Sequence, residues 1–250
     1  MTKLKMMAAV AGLALATAAA PASATDFVLD LTSKTNSADN GATNARTYNF
    51  DLDGQKINVR ATAWSAINGK ITNAYLGSYT YGLGVTNDNE NGTNGTHTVD
   101  TQDGQDFILF QFSTAVDLSK IKTTSFSVNG YTTGSDASVR WGNTATAWNQ
   151  DLGLDGKSTS ALTSVLNNQQ VLAGGSGTLT RSVDGTASNL WLVAATNVDG
   201  TKVDGFKLSA VTVSSAVPEP ATWMMMIGGF AMVGAAVRRR KSVTGGAAVA

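Results

Sequence analysis

The sequence lacks several residue types that common enzyme classes need. Its 250 residues contain no cysteine, one histidine and three prolines. Without cysteine there is no disulfide, thiol nucleophile, cysteine-ligated zinc or iron–sulfur cluster. The single histidine, His97, excludes a multi-histidine metal site. His97 and Asp100 could belong to a serine-type triad, but there is no Gly-x-Ser-x-Gly segment to supply its nucleophile. We therefore expect that the protein is not an enzyme.

The charge of the chain is unevenly distributed. The formal net charge is zero, from 18 basic and 18 acidic residues. Six of the basic residues lie near the two ends, and one acid, Glu219, lies beside the C-terminal group. Residues 25–217 therefore keep 12 basic and 17 acidic side chains, a net charge of about −5. An acidic body argues against binding to nucleic acid and to anionic membrane surfaces.

The N-terminal segment is typical of an export signal. Lys3 and Lys5 precede an apolar stretch at residues 6–20, and Ala22-Ser23-Ala24 forms a small-x-small cleavage site. A positive region, a short apolar region and small residues in this order predict a signal peptide over residues 1–24. The expected partners are the Sec translocon and signal peptidase.

The C-terminal segment combines an apolar stretch with a basic run. Residues 221–237 form 17 uncharged positions, which as a helix would span roughly 25 Å, the short end of what crosses a membrane. Trp223 lies near the outer end, where an indole favours the interface. Four basic residues close the inner end: Arg238, Arg239, Arg240 and Lys241. This pattern predicts a transmembrane helix with its basic end in the cytoplasm.

A short motif precedes this predicted helix. Pro218 and Pro220 cannot continue a helix backwards, so they keep Glu219 extended and open to a processing enzyme. The segment from Val217-Pro-Glu-Pro through Trp223 and the apolar stretch to Lys241 resembles the PEP-CTERM sorting domain. That resemblance implies an exported protein of a Gram-negative bacterium that makes extracellular polysaccharide, processed near Pro-Glu-Pro by exosortase. A nine-residue tail, residues 242–250, extends beyond the usual end of the motif.

The region between the signals has the composition of a β-protein. It is rich in Thr, Ser, Asn, Gly and Asp, and Glu90 is its only glutamate, which disfavours helices. Apolar residues alternate from Ile57 to Ala63, whereas residues 107–110 are continuously apolar and predict a strand covered on both faces. The predicted strands are 27–31, 47–52, 56–64, 107–113, 123–128, 137–141, 178–183, 189–194 and 206–213.

Turns and one helix complete the predicted fold. Asx-Gly dipeptides lie between the strands, and both of their residues tolerate positive φ. The first residues of these dipeptides are Asp53, Asn68, Asp103, Asn129, Asp155, Asp184, Asp199 and Asp204. Residues 158–172 predict a helix, with Ser158 or Thr159 as its N-cap. We expect an all-β, antiparallel β-sandwich, jelly-roll-like, at residues 25–214, followed by the sorting signal at 215–241.

Two groups of residues in this body are candidate binding sites. Asn87-Asp-Asn-Glu-Asn-Gly92 has oxygen ligands at alternate positions, as a calcium loop begins. Its twelfth position is Thr98, so it is not an EF-hand, but Asp88 and Glu90 with a distant carboxylate could hold calcium. No other cofactor is expected. A flexible polar loop without a metal is the alternative.

Aromatic residues form the second group. Exposed rings near Gly- and Asn-rich loops can stack on sugars, and Tyr79 and Tyr81 should share one face of a strand. The alternative is that such rings fill the core, as we expect for Trp64 and Trp191. The candidate glycan-binding residues are Tyr79, Tyr81, Trp141 and Trp148, with Tyr75 and Tyr131 nearby.

These observations support two functional hypotheses. The first is a non-enzymatic protein of the cell surface or extracellular matrix, associated with exopolysaccharide after transient anchoring in the inner membrane. The second is a secreted lectin, or a hydrolase that acts on polysaccharide. A glycoside hydrolase needs two carboxylates at a defined separation, and the sequence cannot select such a pair.

Overall fold

A computed structural model describes residues 25–32, 44–131, 134–198, 203–215 and 227–234. The chain divides into two compact units. One is Thr25–Ala216, and the other combines Met1–Ala24 with Val217–Ala250. In the second unit only residues 227–234 are described, and they form a helix with Ile227, Phe230 and Met232 exposed. No helix among the described residues is long and apolar enough to cross a membrane.

Strands are the main secondary structure of the first unit. Its described residues also form one short helix, α1 (Thr159–Thr163), between the ninth and tenth strands. The strands are β1 (Asp26–Asp30), β2 (Ala45–Leu52), β3 (Gln55–Ile67), β4 (Lys70–Asn73), β5 (Tyr75–Tyr79), β6 (Gly82–Thr86), β7 (Val99–Asp100), β8 (Gln105–Ser125), β9 (Ala137–Gly142), β10 (Asn168–Leu172), β11 (Thr178–Ser182), β12 (Ser188–Ala195) and β13 (Gly205–Ser215).

Strand β8 joins the whole sheet network. Its first part pairs with β3 on one side and β12 on the other, and its second part pairs with β13 and β11. All pairings between these strands are antiparallel. The 13 strands therefore form one hydrogen-bonded network, with the order β10-β9-β12-β8-β13-β6-β5 along its main path. The prediction of an all-β antiparallel domain is confirmed, with one continuous network in place of two separate sheets.

The other strands extend this network at its edges. β2 and β4 both pair with β3, and β1 and β7 both pair with β13. The register of β3 against β8 places Ser65 opposite Asp106. Because β7 pairs with the start of β13, Asp100 lies opposite Gly205. These pairings bring the ends of β3, β7 and β8 to one region of the domain.

The main hydrophobic core gathers side chains from two parts of the network, the strands paired with the first part of β8 and those paired with its second part. Alternate residues of β3 enter it, from Ile57 to Ala63, as the period-two pattern predicts. Phe110 and Ile108 of β8 belong to the same cluster, as do side chains of β1, β5, β6, β9, β12 and β13. Both parts of β8 contribute, so the two parts of the network cover one common core.

A second, smaller core covers the opposite face of β8 and β12. It contains Phe107 and Leu109, together with Leu162 of α1 and Leu166 just after it. The continuous apolar run at the start of β8 is therefore buried on both faces, as predicted. Trp64 belongs to this second cluster, and it is 3% exposed.

The predicted helix at residues 158–172 is shorter than expected. Ser158 is the N-cap, and its hydroxyl accepts a hydrogen bond from the Ser160 amide, as predicted. The helix ends after five residues, and the second half of the predicted segment is strand β10, which pairs with the edge of β9. Sheet hydrogen bonds to that open edge replace the helical ones, because only one leucine of the helix is buried.

Candidate functional site

Three acidic side chains meet where the loops after β6 and β7 approach the start of β8. Glu90 lies in the loop between β6 and β7, Asp100 is the last residue of β7, and Asp106 is the second residue of β8. One carboxylate oxygen from each lies within 4.8 Å of the others. We call these three residues the acidic cluster.

The acidic cluster is buried. Asp100 and Asp106 are both 0% exposed, and Glu90 is partly buried. Charged carboxylates are rarely removed from water unless a cation or several hydrogen-bond donors compensate them. The partners of each oxygen therefore decide what this site can do.

Local turns place the acids next to each other. The Asn87 amide donates to Glu90 Oε2 at 2.9 Å, and the Glu90 amide donates to the Asn87 carbonyl at 3.1 Å. The Gln102 amide donates to Asp100 Oδ1 at 2.9 Å, which turns the chain back after β7. Asp103 has a φ of 54°, a value that Asp adopts more readily than most residues. Asp100 and Asp106 meet because the chain reverses between them.

Side chains supply two further donors to the cluster. Asn87 Nδ2 donates to Asp106 Oδ1 at 3.1 Å, and Thr98 Oγ1 donates to Asp100 Oδ2 at 2.8 Å. Two carboxylate oxygens remain without a hydrogen-bond partner although they are buried: Glu90 Oε1 and Asp106 Oδ2. A buried acceptor without a donor costs free energy, and a proton or a bound cation at these two oxygens would remove that cost.

A neutral side chain at this site is also buried without a hydrogen-bond partner. Ser65 is 0% exposed, and its hydroxyl oxygen has no hydrogen-bond partner. A methyl group on Gly104 would lie 2.4 Å from Ser65 Oγ and 3.5 Å from Asn87 Nδ2. The hydroxyl therefore lies beside the amide that binds Asp106, and Gly104 keeps this space open.

Burial raises the pKa of all three acids. The pKa of Glu90 rises to about 9, first because of burial and then because of the charges of Asp100 and Asp103. The pKa of Asp100 rises to about 7, again mainly through burial, while its hydrogen bonds from Thr98 and Gln102 oppose the rise. Neutral carboxyl groups are therefore favoured when nothing else neutralises the cluster.

Burial also raises the pKa of Asp106 well above its usual range, and the charges of Asp100 and Glu90 add to this. The hydrogen bond from the Asn87 amide acts in the opposite direction, and so does the nearby Ser65 hydroxyl, although its geometry falls short of a hydrogen bond. Lys207 is the basic residue whose charge lowers the pKa of Asp100. Lys207 is 1% exposed, and its Nζ lies 3.5 Å from the centre of the Tyr79 ring and donates to the His97 carbonyl.

The structure separates the two residues proposed for the calcium loop. Glu90 joins two distant carboxylates, whereas Asp88 is exposed and lies outside the cluster. Asp88 points elsewhere because the tight turn from Asn87 to Glu90 directs its first and fourth side chains inwards and leaves the two between them exposed. Sequence reasoning named Asp100 only as a possible triad partner of His97, and it missed Asp106. Its signal was a carboxylate directly before a continuously buried strand.

The candidate aromatic residues lie in different environments. Trp141 is 6% exposed and stacks on Trp191 with 5.5 Å between ring centroids. Its indole N–H donates to Thr186 Oγ1 at 3.1 Å. Trp141 is therefore a core residue, and this corrects its proposed role in glycan binding. Trp191 is fully buried, as expected.

Tyr79 and Tyr81 do not share one strand face. Tyr79 ends β5 and pairs with Gly82 of β6, so Tyr81 lies in the turn between them. The Tyr79 ring packs against His97 at 4.9 Å, whereas Tyr81 is 56% exposed beside Phe126. The tight hairpin changes their directions.

The other aromatic candidates remain partly or largely open. Trp148 and Tyr75 are partly buried, and Tyr131 is 57% exposed. A sugar-binding role for these rings and for Tyr81 stays a prediction.

A groove of about 280 Å³ lies on the face that α1 partly covers. The helix contributes one wall, and strands β3, β8, β9, β10 and β12 contribute the others. Its lining includes Phe107, Arg140, Gln105, Gln169 and Ser138, but no carboxylate. Such a surface can donate hydrogen bonds to hydroxyl groups, but it offers no acid–base pair for hydrolysis.

The predicted sorting residues lie outside the described part of the chain. These are Pro218, Glu219, Pro220, Trp223, Arg238, Arg239, Arg240 and Lys241, and the predicted signal peptide and the tail at 242–250 lie outside it too. The evidence for the sorting segment therefore comes from its sequence.

Comparison with protein families matches the PEP-CTERM protein-sorting motif at residues 216–241. A chain with this motif is an exported protein directed to membrane-associated sorting. This match confirms the resemblance found in the sequence and supports an exosortase substrate that carries a PEP-CTERM domain. Comparisons with curated proteins and with solved structures gave no match.

Proposed function

We propose that the protein is a non-enzymatic component of the cell surface or extracellular matrix of a Gram-negative bacterium, associated with exopolysaccharide. The observation that carries this proposal is the sorting motif at residues 216–241. A signal peptide at residues 1–24 would take the chain through the Sec translocon to signal peptidase. A helix at residues 221–237 would then hold it in the inner membrane until exosortase acts.

The burial of the acidic cluster supports a non-enzymatic role. Glycoside hydrolases place two carboxyl groups on either side of the bond that is cleaved. Asp100 and Asp106 are close enough to act together, but both are 0% exposed. A polysaccharide cannot reach them without opening the fold. Their position suits a structural role better than hydrolysis.

The shape of the domain also supports a structural component. Two parts of one strand network cover a common core, and we propose a jelly-roll-like sandwich as the finer description of this arrangement. Such domains are stable without disulfides when their core is large enough. This fits an exported protein that has no cysteine.

A carbohydrate-binding role is the second candidate. The groove beside α1 is lined by Arg140, Gln105 and Gln169. Amide and guanidinium groups can donate hydrogen bonds to sugar hydroxyls. Since no carboxylate lines this groove, binding without hydrolysis is the form of this alternative that we retain.

The sorting role is tested by cell fractionation. We expect Glu219→Ala, or deletion of residues 238–241, to leave unprocessed precursor in the inner membrane, because exosortase would lose its motif or the chain its anchor. A matched control is Asp51→Ala, an exposed acid of the β-domain, which should be processed normally. Normal release of both sorting variants would refute the proposal.

The exopolysaccharide association is tested separately. The purified protein is mixed with the host's extracellular polysaccharide, and both co-sedimentation and reducing-sugar release are measured. Co-sedimentation that Arg140→Ala weakens, without sugar release, would favour the carbohydrate-binding form. Release of reducing sugar would show that the non-enzymatic assignment is wrong.

A further inference from the structure

We propose that Glu90, Asp100 and Asp106 bind one calcium ion, which holds the loops after β6 and β7 against the start of β8. This inference concerns the β-domain and does not depend on the sorting role. The first argument is the chemistry of the site. Three carboxylates supply hard oxygen ligands, which calcium prefers.

The geometry of the cluster fits a single ion. Calcium binds oxygen at about 2.3–2.6 Å, so two oxygens on opposite sides of the ion lie up to about 5 Å apart. The three carboxylate oxygens lie within 4.8 Å of one another, inside this limit. Magnesium needs near-ideal octahedral ligands at about 2.0–2.1 Å and usually keeps several waters. A cluster in which two acids are 0% exposed leaves little room for such waters.

A second observation comes from outside the acidic residues. Ser65 is 0% exposed, its hydroxyl has no hydrogen-bond partner, and it lies opposite Asp106 in the sheet. Calcium takes six to eight oxygen ligands, and a buried hydroxyl or a water held by it can be one of them. An ion at this position would satisfy Ser65 together with the unpartnered oxygens of Glu90 and Asp106.

The position of the site explains what the ion would do. Glu90 belongs to a polar loop of 12 residues between β6 and β7, and Asp100 and Asp106 flank the next loop. One ion would join both loops to β8, the strand at the centre of the network. Extracellular calcium modules bind with dissociation constants of about 10⁻⁴–10⁻³ M, and we expect an affinity of this order.

Thermal unfolding of the purified protein tests the proposal. At pH 8, we expect calcium chloride at 100 times the dissociation constant to raise the melting temperature by about 5–10 °C relative to a chelator. Asp106→Asn and Glu90→Gln should each abolish most of this rise. Asp88→Asn is the matched control, since Asp88 is an exposed acid of the same loop, and it should keep the full rise.

Several results would overturn the proposal. These are no shift with calcium in the native protein, an equal shift with magnesium chloride, or a full shift in Asp106→Asn. Circular dichroism confirms that each variant is folded. Equilibrium dialysis against calcium chloride, followed by elemental analysis, gives an independent measurement, and binding that saturates at one calcium per chain and is lost in Glu90→Gln is the expected result. Metal-free native protein with an unchanged melting temperature in calcium would contradict it.

Discussion

The acidic cluster predicts an unusual dependence of stability on pH when calcium is removed by a chelator. In the unfolded chain, Asp and Glu side chains lose their protons near pH 4. In the folded protein, burial raises the pKa of Asp100 to about 7 and that of Glu90 to about 9. From about pH 4 up to these raised pKa values, the folded state holds more protons than the unfolded state, so the free energy of unfolding falls as the pH rises.

The size of the effect follows from Asp100. A pKa that rises from 3.8 to about 7 corresponds to a loss of about 4 kcal/mol between pH 4 and pH 8, since each tenfold change in a protonation constant is worth about 1.4 kcal/mol. For a domain of this length, that is a fall in melting temperature of roughly 10 °C. The raised pKa values of Glu90 and Asp106 lower stability in the same direction. The charge of Asp103 raises the pKa of Asp100, and the charge of Lys207 lowers it.

Urea unfolding followed by tryptophan fluorescence measures this effect. The free energy of unfolding is determined from pH 4 to pH 9 in chelator at constant ionic strength. Glu90→Gln removes one of the repelling charges, so its stability should fall less steeply than that of the native protein. Asp51→Asn, an exposed change, should leave the slope as it is. Stability that rises from pH 4 to pH 8, or an identical slope in Glu90→Gln, would refute the reasoning.

Two further predictions concern the core and a tight strand contact. Trp141→Ala removes a buried, stacked ring, so it should lower the free energy of unfolding by about 3–5 kcal/mol in the same urea titration. Tyr81 lies in an exposed turn, so Tyr81→Ala should change that free energy by less than about 1 kcal/mol. Gly82→Ala should lower the free energy of unfolding several-fold more than Gly175→Ala. A methyl group at Gly82 would lie 2.2 Å from a backbone carbonyl oxygen of β13, whereas at Gly175 the nearest atom is 3.7 Å away. Equal melting temperatures for the two variants would contradict the described strand packing.

Strong local patterns predicted most of the long strands. The alternation from Ile57 to Ala63 matches β3, and the apolar run that begins at Phe107 matches the doubly buried part of β8. The prediction failed where the pattern is weak. Strands β5 and β6 contain Gly77 and Gly84, which carry no side chain to show an inward face. Their place is set by neighbours, as the Tyr79 ring packs over Gly77.

The candidate site was only partly predictable for a similar reason. The polar loop identified Glu90 as a possible ligand, but it also suggested Asp88, which is exposed. Nothing local to the loop indicates that Asp106 is its partner, since 16 positions separate the two residues. Likewise, the sequence around Trp141 does not show that another strand places Trp191 against it.

The amino-acid sequence by itself determined where the protein is directed and which class of fold it adopts. A sorting motif is read as a contiguous segment, and strand propensity and turns depend on near neighbours, so both are visible along the chain. Only the tertiary structure decided which acids meet and which rings are buried. Those contacts depend on the pairing of β3, β7, β8 and β13, and the free energy of packing distant strands sets that pairing.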